Sequence, residues 1–478
     1  MENLSVIAGL STGAALPREG GIAQALTQRI RDAVARGELV VGDRIPASRV
    51  IAGELGIARG TVITAIDTLV AEGILETKVG AGVFVAEAAV ALNRVEIESH
   101  AATPPIHFSP DEPDVDELRN CRFDFRPCRP SLEAFPMQVW KRCVALAGSQ
   151  QPSSDYGSPL GDEGLRAAIC DYLRRSRGLI VTPAQMIITN GAVNAMHLAA
   201  RLYLDTDAEV VVENPGYPLA RQVFANAGAR IIPVVVDDDG LRVDLLPQRA
   251  EKVRIVCVTP SHQFPVGGRL SLSRRMDLIE WARRNDVLIV EDDYDGEFRY
   301  DVPPLSPLAA LGGSQVLYVG TFSKTMFPGL RIGFAVGTEQ LIEAMGRLRS
   351  FSEYAPNAII QSALLRFVDG SHYERHILRM RRIYREKRGA LVASLVSAGQ
   401  GYTISGIDSG LNAHVQLPEG MSAHQLSVDL AKRGILVPTI DRYAFDQKGS
   451  DSGLVVGFAA PSLQDINAIG GLLSSLGH

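Results

Sequence analysis

Apolar residues recur with a helical period of about 3.6 in three segments near the start of the chain, and then change to strand-like alternation. The predicted helices run through IAQALTQRIRDAVARGEL, ASRVIAGELG and ARGTVITAIDTLVAEG, and they end near Gly37, Gly56 and Gly73. The segment ILETKVGAGVFVAE follows and favours two strands that turn about Gly80. Three helices and a β-hairpin over residues 20–88 predict a winged helix-turn-helix domain.

A second pattern begins after residues 89–118, where AATPPIHFSPDEPDVDE is rich in proline and acids and predicts a linker. Over residues 119–478, short apolar runs alternate with helical stretches. The runs are QMIITNG, AEVVVENPG, RIIPVVVD, VRIVCVTPS, DVLIVEDDYD, QVLYVGTFSK and LRIGFAVG. Such runs predict an α/β domain with a mostly parallel sheet that helices cover on both faces. A long Arg- and Lys-rich helix from about Arg366 and a small C-terminal lobe are predicted to follow.

Composition narrows the class of protein. The 478 residues are 46 % hydrophobic and 21 % charged, which is typical of globular domains. The chain has no apolar run of the roughly 18 residues that span a bilayer, and its start lacks a signal-peptide pattern. The five cysteines are scattered and form no CxxC pair, so they predict neither a metal site nor disulfides. We expect a cytoplasmic protein without a membrane partner.

The charge distribution limits how the first domain could bind nucleic acid. The formal net charge is −6, and residues 1–86 contain 8 Lys and Arg against 9 Asp and Glu. A global basic surface is therefore absent, and any contact with DNA has to be local.

The helix pair that ends at Gly56 and Gly73 has the spacing of a helix-turn-helix, whose second helix enters the major groove. The candidate DNA-contacting residues are Ser48, Arg49, Arg59, Thr61, Thr64 and Lys78. Arg59 could pair with guanine through two hydrogen bonds, whereas the hydroxyls and Lys78 suit phosphates. Spacing alone also allows a small helical dimerisation module.

The segment IPASRVIAGELGIARGTVITAIDTLVAEGILETKVGAGVFV resembles the DNA-binding domain of GntR-family regulators. The resemblance implies that the partner is a double-stranded DNA operator. Ala47 stands where those proteins typically have serine. Ala58 and Gly60 weaken the start of the second helix, because alanine is a poor cap and glycine is a poor helix former.

Two segments of the second domain place reactive side chains after predicted strands. GTFSKTMFPGLRIGF offers Lys324 with hydroxyl groups and a guanidinium nearby, and VLIVEDDYDGEF offers Asp292 and Tyr294. Pyridoxal phosphate needs an amine for its aldehyde, a cation and hydroxyls for its phosphate, and an acid for its ring nitrogen. In open α/β sheets, ligands bind beyond the carboxyl ends of the strands, where all these residues are predicted.

Two further segments fit the same ligand. In ITNGAVNAMHLAARL a strand is followed by the start of a helix at Asn190, Gly191, Ala192 and Val193, whose N–H groups could bind a phosphate. Tyr217 in ENPGYP follows the next strand and could stack on a pyridine ring. Each feature alone has an ordinary structural explanation, such as a surface lysine, a turn or a helix cap.

From DYGSPLGDEGLR to the C-terminus, the order and spacing of these segments resemble fold-type I aminotransferases. The resemblance implies that Lys324 is the internal aldimine lysine, that Asp292 pairs with the pyridine nitrogen and that Tyr294 donates to the phenolate oxygen. It implies that Tyr217 stacks on the ring. The implied phosphate ligands are Thr321, Ser323, Arg331 and, from the neighbouring subunit of a homodimer, Tyr156.

The combination of both domains resembles MocR-type transcriptional regulators. Phe264 in TPSHQFPVG stands where ordinary aminotransferases have an asparagine, so His262 is a candidate substitute near the phenolic oxygen. Val455 in LVVGFAA replaces the usual carboxylate-binding arginine of the last strand. The MocR-type pattern instead has an earlier Arg-aromatic pair, which Arg442 and Tyr443 match, and it makes Arg442 the candidate clamp for an effector carboxylate.

These observations predict a pyridoxal-phosphate-dependent DNA-binding regulator. It would sense an amino compound, or the cofactor itself, through aldimine chemistry at Lys324. The rival hypothesis is a working aminotransferase that carries an appended DNA-binding module. Under the first hypothesis the second domain serves sensing and retains residual transaminase activity at most.

Overall fold

The computed structural model describes five ranges of the chain, which are residues 21–89, 121–301, 305–399, 401–445 and 453–476. The chain divides into two compact units, residues 1–112 and 113–478. The predicted linker, residues 89–118, lies outside the described residues except for Ala89. The exact domain boundaries stay predictions.

The first unit contains three helices and one small sheet. Its elements are α1 (Ile22–Ala35), β1 (Arg44–Ile45), α2 (Ser48–Leu55), α3 (Arg59–Ala71), β2 (Leu75–Lys78) and β3 (Gly82–Val85). The strands pair antiparallel in the order β1-β3-β2. The structure confirms the three predicted helices and the hairpin, and it adds β1, which is too short to show a period.

The sequence explains the tight connection between α2 and α3. Gly56 ends α2 in the left-handed region, with φ of 64°, where glycine carries no steric cost. On α3 the buried side chains Val62, Ala65, Ile66 and Leu69 recur every three or four residues and pack into the core of the unit. The first turn of α3 therefore turns its other face outward, which leaves Arg59 exposed.

The second unit contains an eight-stranded sheet. After β4 (Phe123–Asp124), its strands are β5 (Met186–Thr189), β6 (Glu209–Asn214), β7 (Arg230–Asp237), β8 (Gly240–Leu241), β9 (Val253–Val258), β10 (Leu288–Asp293), β11 (Val316–Thr321) and β12 (Gly333–Val336). The order is β5-β12-β11-β10-β9-β6-β7-β8, in which β12 and β8 run antiparallel to their neighbours and the other pairs are parallel. All seven predicted runs are strands of this sheet, and only β8 was not predicted.

Helices cover both faces of the sheet. They are α4 (Met137–Gly148), α5 (Glu163–Arg177), α6 (Ala192–Tyr203), α7 (Pro218–Asn226), α8 (Leu272–Asn285), α9 (Leu308–Gly312), α10 (Glu339–Ser350) and α11 (Ala358–Asp369). In β6, Val210 and Val212 belong to one apolar cluster with α6 and α7, whereas Val211 belongs to another cluster with α8. Alternate side chains of a strand point to opposite faces, so continuous apolar runs follow from burial on both sides.

The C-terminal lobe is smaller. Its elements are α12 (His372–Ser397), β13 (Thr403–Ser405), β14 (Asn412–Gln416), α13 (Ala423–Lys432), β15 (Ile435–Leu436), β16 (Leu454–Gly457) and α14 (Leu463–Leu476). β13, β14 and β16 form an antiparallel sheet, and β15 pairs parallel with β4. The long helix starts at His372 and not near Arg366, because Ser371 has φ of 55° and separates it from α11. Of the helices in the described ranges, none combines the length and apolar character of a membrane span.

Candidate functional site

A cavity of about 410 Å³ lies in the second unit, where β6, β10 and β11 end. It brings together most residues predicted for the cofactor and effector. Those that line it are Ala192, Val193, Tyr217, Asp292, Tyr294, Thr321, Ser323, Lys324, Arg331 and Arg442. Since parallel strands end at one edge of a sheet, segments that are far apart in sequence meet here.

Asp292 lies near the end of β10 and is only 4 % exposed. Its Oδ1 atom has no hydrogen-bond partner among the described residues. Burial, the largest cause, and the neighbouring Asp293 together raise the pKa of this carboxyl to about 7, and Lys324 opposes the shift. A buried acceptor without a donor is costly, so this carboxylate fits a ligand that supplies an N–H group, as a protonated pyridine ring does.

Tyr294 follows β10 directly, and its hydroxyl lies 3.0 Å from Nδ1 of His262. The same Nδ1 lies 3.0 Å from Oδ2 of Asp295, and Nε2 of His262 lies 3.0 Å from the carbonyl oxygen of Gly406. Burial acts to lower the pKa of His262, but Asp295 outweighs it, and the pKa is raised. His262 does not line the cavity, and it lies behind Tyr294.

Several groups that could bind a phosphate lie close together at the start of α6. Gly191 has φ of 89°, and a Cβ atom there would lie 3.4 Å from the guanidinium of Arg331. Arg331 Nη2 donates to the carbonyl oxygen of Asn190 at 2.9 Å. The hydroxyls of Thr321 and Ser323 lie 3.1 Å apart after β11. Because no side chain caps the first N–H groups of α6, these groups, the hydroxyls and the cation fit a phosphate.

An aromatic cluster forms one wall of the cavity. Phe264 packs edge-to-face against Tyr217, Tyr294 and Tyr443, with ring centroids 5.9, 6.0 and 5.1 Å apart. Burial raises the pKa of each of these tyrosines. The tyrosines therefore stay protonated, and their hydroxyls remain able to donate.

Three arginines with solvent-accessible side chains, Arg126, Arg129 and Arg442, line the cavity, and we call the part that they form its mouth. Arg442 lines the cavity, is exposed, and forms no ion pair or hydrogen bond with another described residue. Val455 is fully buried in β16 and does not line the cavity. Arg126 and Arg129 also line the mouth, and sequence reasoning missed both. Their place depends on the pairing of β4 with β15, and two-residue strands leave no periodic signal.

Two further predicted residues lie outside the cavity wall. Asn190 contributes its carbonyl oxygen to Arg331, and its side chain donates to Glu353 at 2.9 Å. Tyr156 is 73 % exposed and stacks on Tyr354 with centroids 4.6 Å apart. The contact of Tyr156 with a neighbouring subunit stays a prediction.

In the first unit, the candidate DNA contacts lie near the starts of α2 and α3. Nε of Arg59 donates to Oγ of Ser48 at 3.2 Å, which brings the two helix starts together. Arg49 and Thr64 are exposed, and Thr61 is partly buried. The side chain of Thr64 donates to its own helix, at the carbonyl oxygen of Gly60, over 3.0 Å.

Lys78 closes the hairpin at the end of β2. Its Nζ lies 2.9 Å from Oε1 of Glu76 and 5.1 Å from the centroid of the Phe84 ring. Both contacts are on the exposed surface, so the ammonium remains accessible to solvent. The hairpin therefore presents one cation, and α3 presents another at Arg59.

Comparison with family models assigns both units. The model of bacterial regulatory proteins of the gntR family matches residues 22–85. The model of aminotransferase class I and II matches residues 129–454. The second match alone covers more than half of the chain.

Curated relatives match over most of both chains. The chain is 35 % identical to the "Probable rhizopine catabolism regulatory protein MocR" of Rhizobium meliloti, over 77 % of this chain and 76 % of the relative. It is 34 % identical to the HTH-type pyridoxine biosynthesis transcriptional regulator PdxR of Corynebacterium glutamicum, over 91 % of each chain.

Among solved structures, an archaeal alanine:glyoxylate aminotransferase matches with a TM-score of 0.69 and 27 % identity, covering 74 % of this chain and 90 % of that one. The second unit therefore has the fold-type I aminotransferase fold in three dimensions as well as in sequence. The chain therefore belongs to the MocR-type branch of the GntR-family transcriptional regulators, with a DNA-binding GntR domain and a fold-type I aminotransferase domain whose cofactor is pyridoxal phosphate.

Proposed function

We propose that this regulator binds a DNA operator with its first unit and senses a small molecule in the cavity that contains Lys324. The sensed molecule is an amino compound or pyridoxal phosphate itself. One observation carries the proposal. Lys324 and Asp292, whose Oδ1 atom has no hydrogen-bond partner among the described residues, line the same cavity in a chain that carries a GntR-family domain.

Bound pyridoxal phosphate supplies an aldehyde carbon that bonds covalently to a primary amine. Lys324 offers that amine from the chain. Asp292 accepts a hydrogen bond at the ring nitrogen and favours its positive charge, and Tyr294 donates to the ring oxygen. Tyr217 packs against the ring face.

The phosphate would lie at the start of α6. There the residues Thr321, Ser323 and Arg331 supply two hydroxyls and a guanidinium, while the first N–H groups of α6, which no side chain caps, would face the oxygens. Asn190 holds Arg331 in place through its carbonyl oxygen. His262 acts on the ring only through the hydroxyl of Tyr294.

Arg442 would bind the carboxylate of an amino acid effector. Its guanidinium lines the cavity without a partner among the described residues, and Val455 offers no charge at the alternative position. Charge-assisted pairing of arginine with a carboxylate is strong and directional. A ligand bound by Arg442 would leave its amine free for the chemistry beside Lys324.

The regulator would act as a homodimer. Three aromatic side chains are exposed in the single chain, namely Tyr156, Tyr354, on which Tyr156 stacks, and Phe351, which is 90 % exposed. An exposed aromatic surface of this kind favours burial against a second copy. Two copies would present two recognition helices, which matches the two half-sites of a symmetric operator.

Effector binding can change DNA affinity only by the difference between its affinities for two states of the protein. The test combines two measurements on the purified full chain. Absorption spectroscopy should show a visible cofactor band that borohydride removes. Selection from a pool of random duplexes should enrich one sequence, and an amino compound that changes the band should change the affinity for that sequence. Enrichment of no sequence would contradict operator binding.

A second candidate function is amino-group transfer. The aminotransferase fold and the cavity residues around Lys324 favour it. Incubation with an amino acid and a keto acid separates the two functions. Many turnovers per site without sequence-selective DNA binding would support the enzyme, and at most one turnover with selective binding would support the regulator.

A further inference from the structure

The mouth of the cavity is built on the two-stranded sheet of β4 and β15. The strands are parallel, and Phe123 and Asp124 pair with Ile435 and Leu436. Segments that leave parallel strands emerge at the same edge. Arg126 and Arg129 follow β4, and Arg442 follows β15, so the sheet delivers all three arginines to one cavity.

The segment that carries Arg126 and Arg129 is held on two sides. The N–H group of Phe125 donates to the carbonyl oxygen of Leu436 at 2.9 Å, and the N–H group of Gly457 donates to the carbonyl oxygen of Phe125 at 2.7 Å. A Cβ atom at Gly457 would collide with the carbonyl oxygen of Arg126. The arginine pair is therefore fixed relative to β15 and β16 before any ligand binds.

Arg129 and Arg442 keep side-chain donors available to a ligand. Arg126 forms an ion pair with Asp124 at 2.6 Å, and Arg129 reaches the same carboxylate oxygen at 3.3 Å. One carboxylate thus faces two guanidiniums, and Arg442 adds a third. The side chain of Arg129 is 46 % exposed, and its single contact leaves most of its five N–H donors available.

The rest of the cavity does not balance this charge. Among the described residues that line it, Asp292 is the only acidic one, and it lies at the ring end. Arg331 lies at the phosphate end. Arg129 and Arg442 therefore present two cations to a cavity whose described lining contains one acidic residue, Asp292.

We infer that the mouth holds two anionic groups of a single effector, one at Arg442 and one at Arg129, with Arg126 fixing the position of Asp124. The effector is then an amino compound with two acidic groups, such as an amino dicarboxylic acid. This inference rests on the proposed sensing of an amino compound. A monocarboxylate would neutralise only one of the two charges.

The test uses the full chain loaded with pyridoxal phosphate. Pairs of probes that differ in one acidic group are titrated, namely L-aspartate with L-asparagine, L-glutamate with L-glutamine, and L-2-aminoadipate with L-norleucine. Binding is followed by cofactor absorption and by calorimetry. We expect at least one diacid to bind roughly tenfold to 150-fold more tightly than its neutral counterpart, the value of a charge-assisted contact.

Variants locate the second anion. Arg129→Gln should remove the preference for the diacid and leave the affinity for its neutral counterpart unchanged. Arg442→Gln should weaken both members of the pair. Arg122→Gln is the matched control, since Arg122 precedes β4, is exposed and does not line the cavity. An unchanged cofactor spectrum before titration shows that each variant is folded.

The outcomes separate the inference from the function on which it rests. Equal affinity for a diacid and its neutral counterpart overturns the second subsite and leaves amino sensing intact. If Arg129→Gln weakens the binding of the diacid and of its neutral counterpart equally, Arg129 and Arg442 share one carboxylate. That result also overturns the second subsite. If no probe changes either readout, both the subsite and the sensing of such amino acids are wrong.

Discussion

The two candidate sites of this protein are built in opposite ways. In the first unit, the side chains predicted to contact DNA stand on the surface of a three-helix core, and the Arg59 side chain has one hydrogen bond to a described residue, Ser48. In the second unit, the ring end of the cavity is formed by strand ends, and Asp292 and Tyr294 are buried. A residue that makes a surface contact can be substituted without affecting the fold. A buried polar group without a partner in the chain is costly, and its ligand removes that cost.

Two arginines illustrate the difference. Both arginines are exposed, but Arg59 simply begins a helix. Arg331 lies in the left-handed region with φ of 52°, and its guanidinium is bound to the carbonyl oxygen of Asn190 beside the start of α6. Backbone strain is tolerated where the surroundings fix the residue. We therefore expect large effects from the cavity and graded effects from the DNA-binding surface.

The largest effect is expected from Lys324→Ala. Without the amine, the chain cannot form a covalent bond to the cofactor's aldehyde, and the borohydride-sensitive band should disappear completely. Both units should remain folded, because Lys324 lines a cavity and has no packing role in the apolar clusters. Mass spectrometry after borohydride treatment measures the covalent adduct.

Lys324→Arg is the matched variant for this test. It keeps the positive charge in the cavity but should fail to form the adduct as well. An adduct at the wild-type level in either variant would show that another lysine carries the bond. Circular dichroism confirms that the loss is chemical and does not result from unfolding.

Asp292→Asn should cause the next largest effect. The amide keeps the shape but cannot offset a positive ring nitrogen, and loss of one partner of a buried ion pair costs about 3 to 5 kcal/mol. Cofactor affinity, measured by equilibrium dialysis, should fall by more than about 100-fold. Asp171→Asn, at an exposed position of α5, serves as the control and should leave the affinity unchanged. Equal affinities would remove Asp292 from ring binding.

The sequence predicted the buried architecture better than the surface detail. The seven predicted strands are continuous apolar runs, because helices cover both faces, and this signal persists in a single sequence. Gly56 and Gly73 marked the helix ends in the first unit, because both residues have positive φ. Lys324, Asp292 and Tyr294 could be predicted as candidates because they lie at the ends of such strands or just after them.

What the sequence could not predict depends on contacts between distant segments. The pairs of residues in β4 and β15 are too short to show a period, so the placement of Arg126 and Arg129 was missed. The placement of His262 near the cofactor oxygen stays a prediction, and its contacts with Tyr294, Asp295 and Gly406 could not be read from the sequence. Such positions follow from tertiary packing and leave no local pattern.

Arg442→Ala tests the exposed side of the cavity. If the effector carries a carboxylate, loss of this charge-assisted contact should cost about 1.5 to 3 kcal/mol, or roughly a tenfold to 150-fold loss of affinity. The cofactor spectrum without effector should not change, because Arg442 lies at the mouth and Asp292 at the ring end. Spectral titration with an amino acid measures the shift, and identical titrations of variant and wild type would place the clamp elsewhere.

Arg59→Ala should weaken operator binding by about 1 to 3 kcal/mol and relax the preference at one base pair, since a bidentate contact to guanine provides about that discrimination. Ser48→Ala is a useful partner variant, because it removes the hydrogen bond to Nε of Arg59 without removing the cation. Fluorescence anisotropy with single-base operator variants measures both effects. A loss that is equal for every sequence would exclude Arg59 from base readout.

The smallest effect is expected at Lys78, and it should differ in kind. Its ammonium already pairs with Glu76 on the exposed surface. Because exposed charge pairs are worth about 1 kcal/mol or less, Lys78→Ala should cause only a modest loss of DNA affinity. A lysine that contacts a phosphate carries no sequence information, so the loss should be alike for operator and random DNA. The slope of log affinity against log salt concentration should fall by about 1, the value for one lost phosphate contact. Anisotropy titrations at several salt concentrations measure this slope. If Lys78→Ala instead relaxes the preference at one base pair and leaves the salt slope unchanged, Lys78 contacts a base and not a phosphate. The hairpin would then contribute to sequence recognition, which we assign to α3.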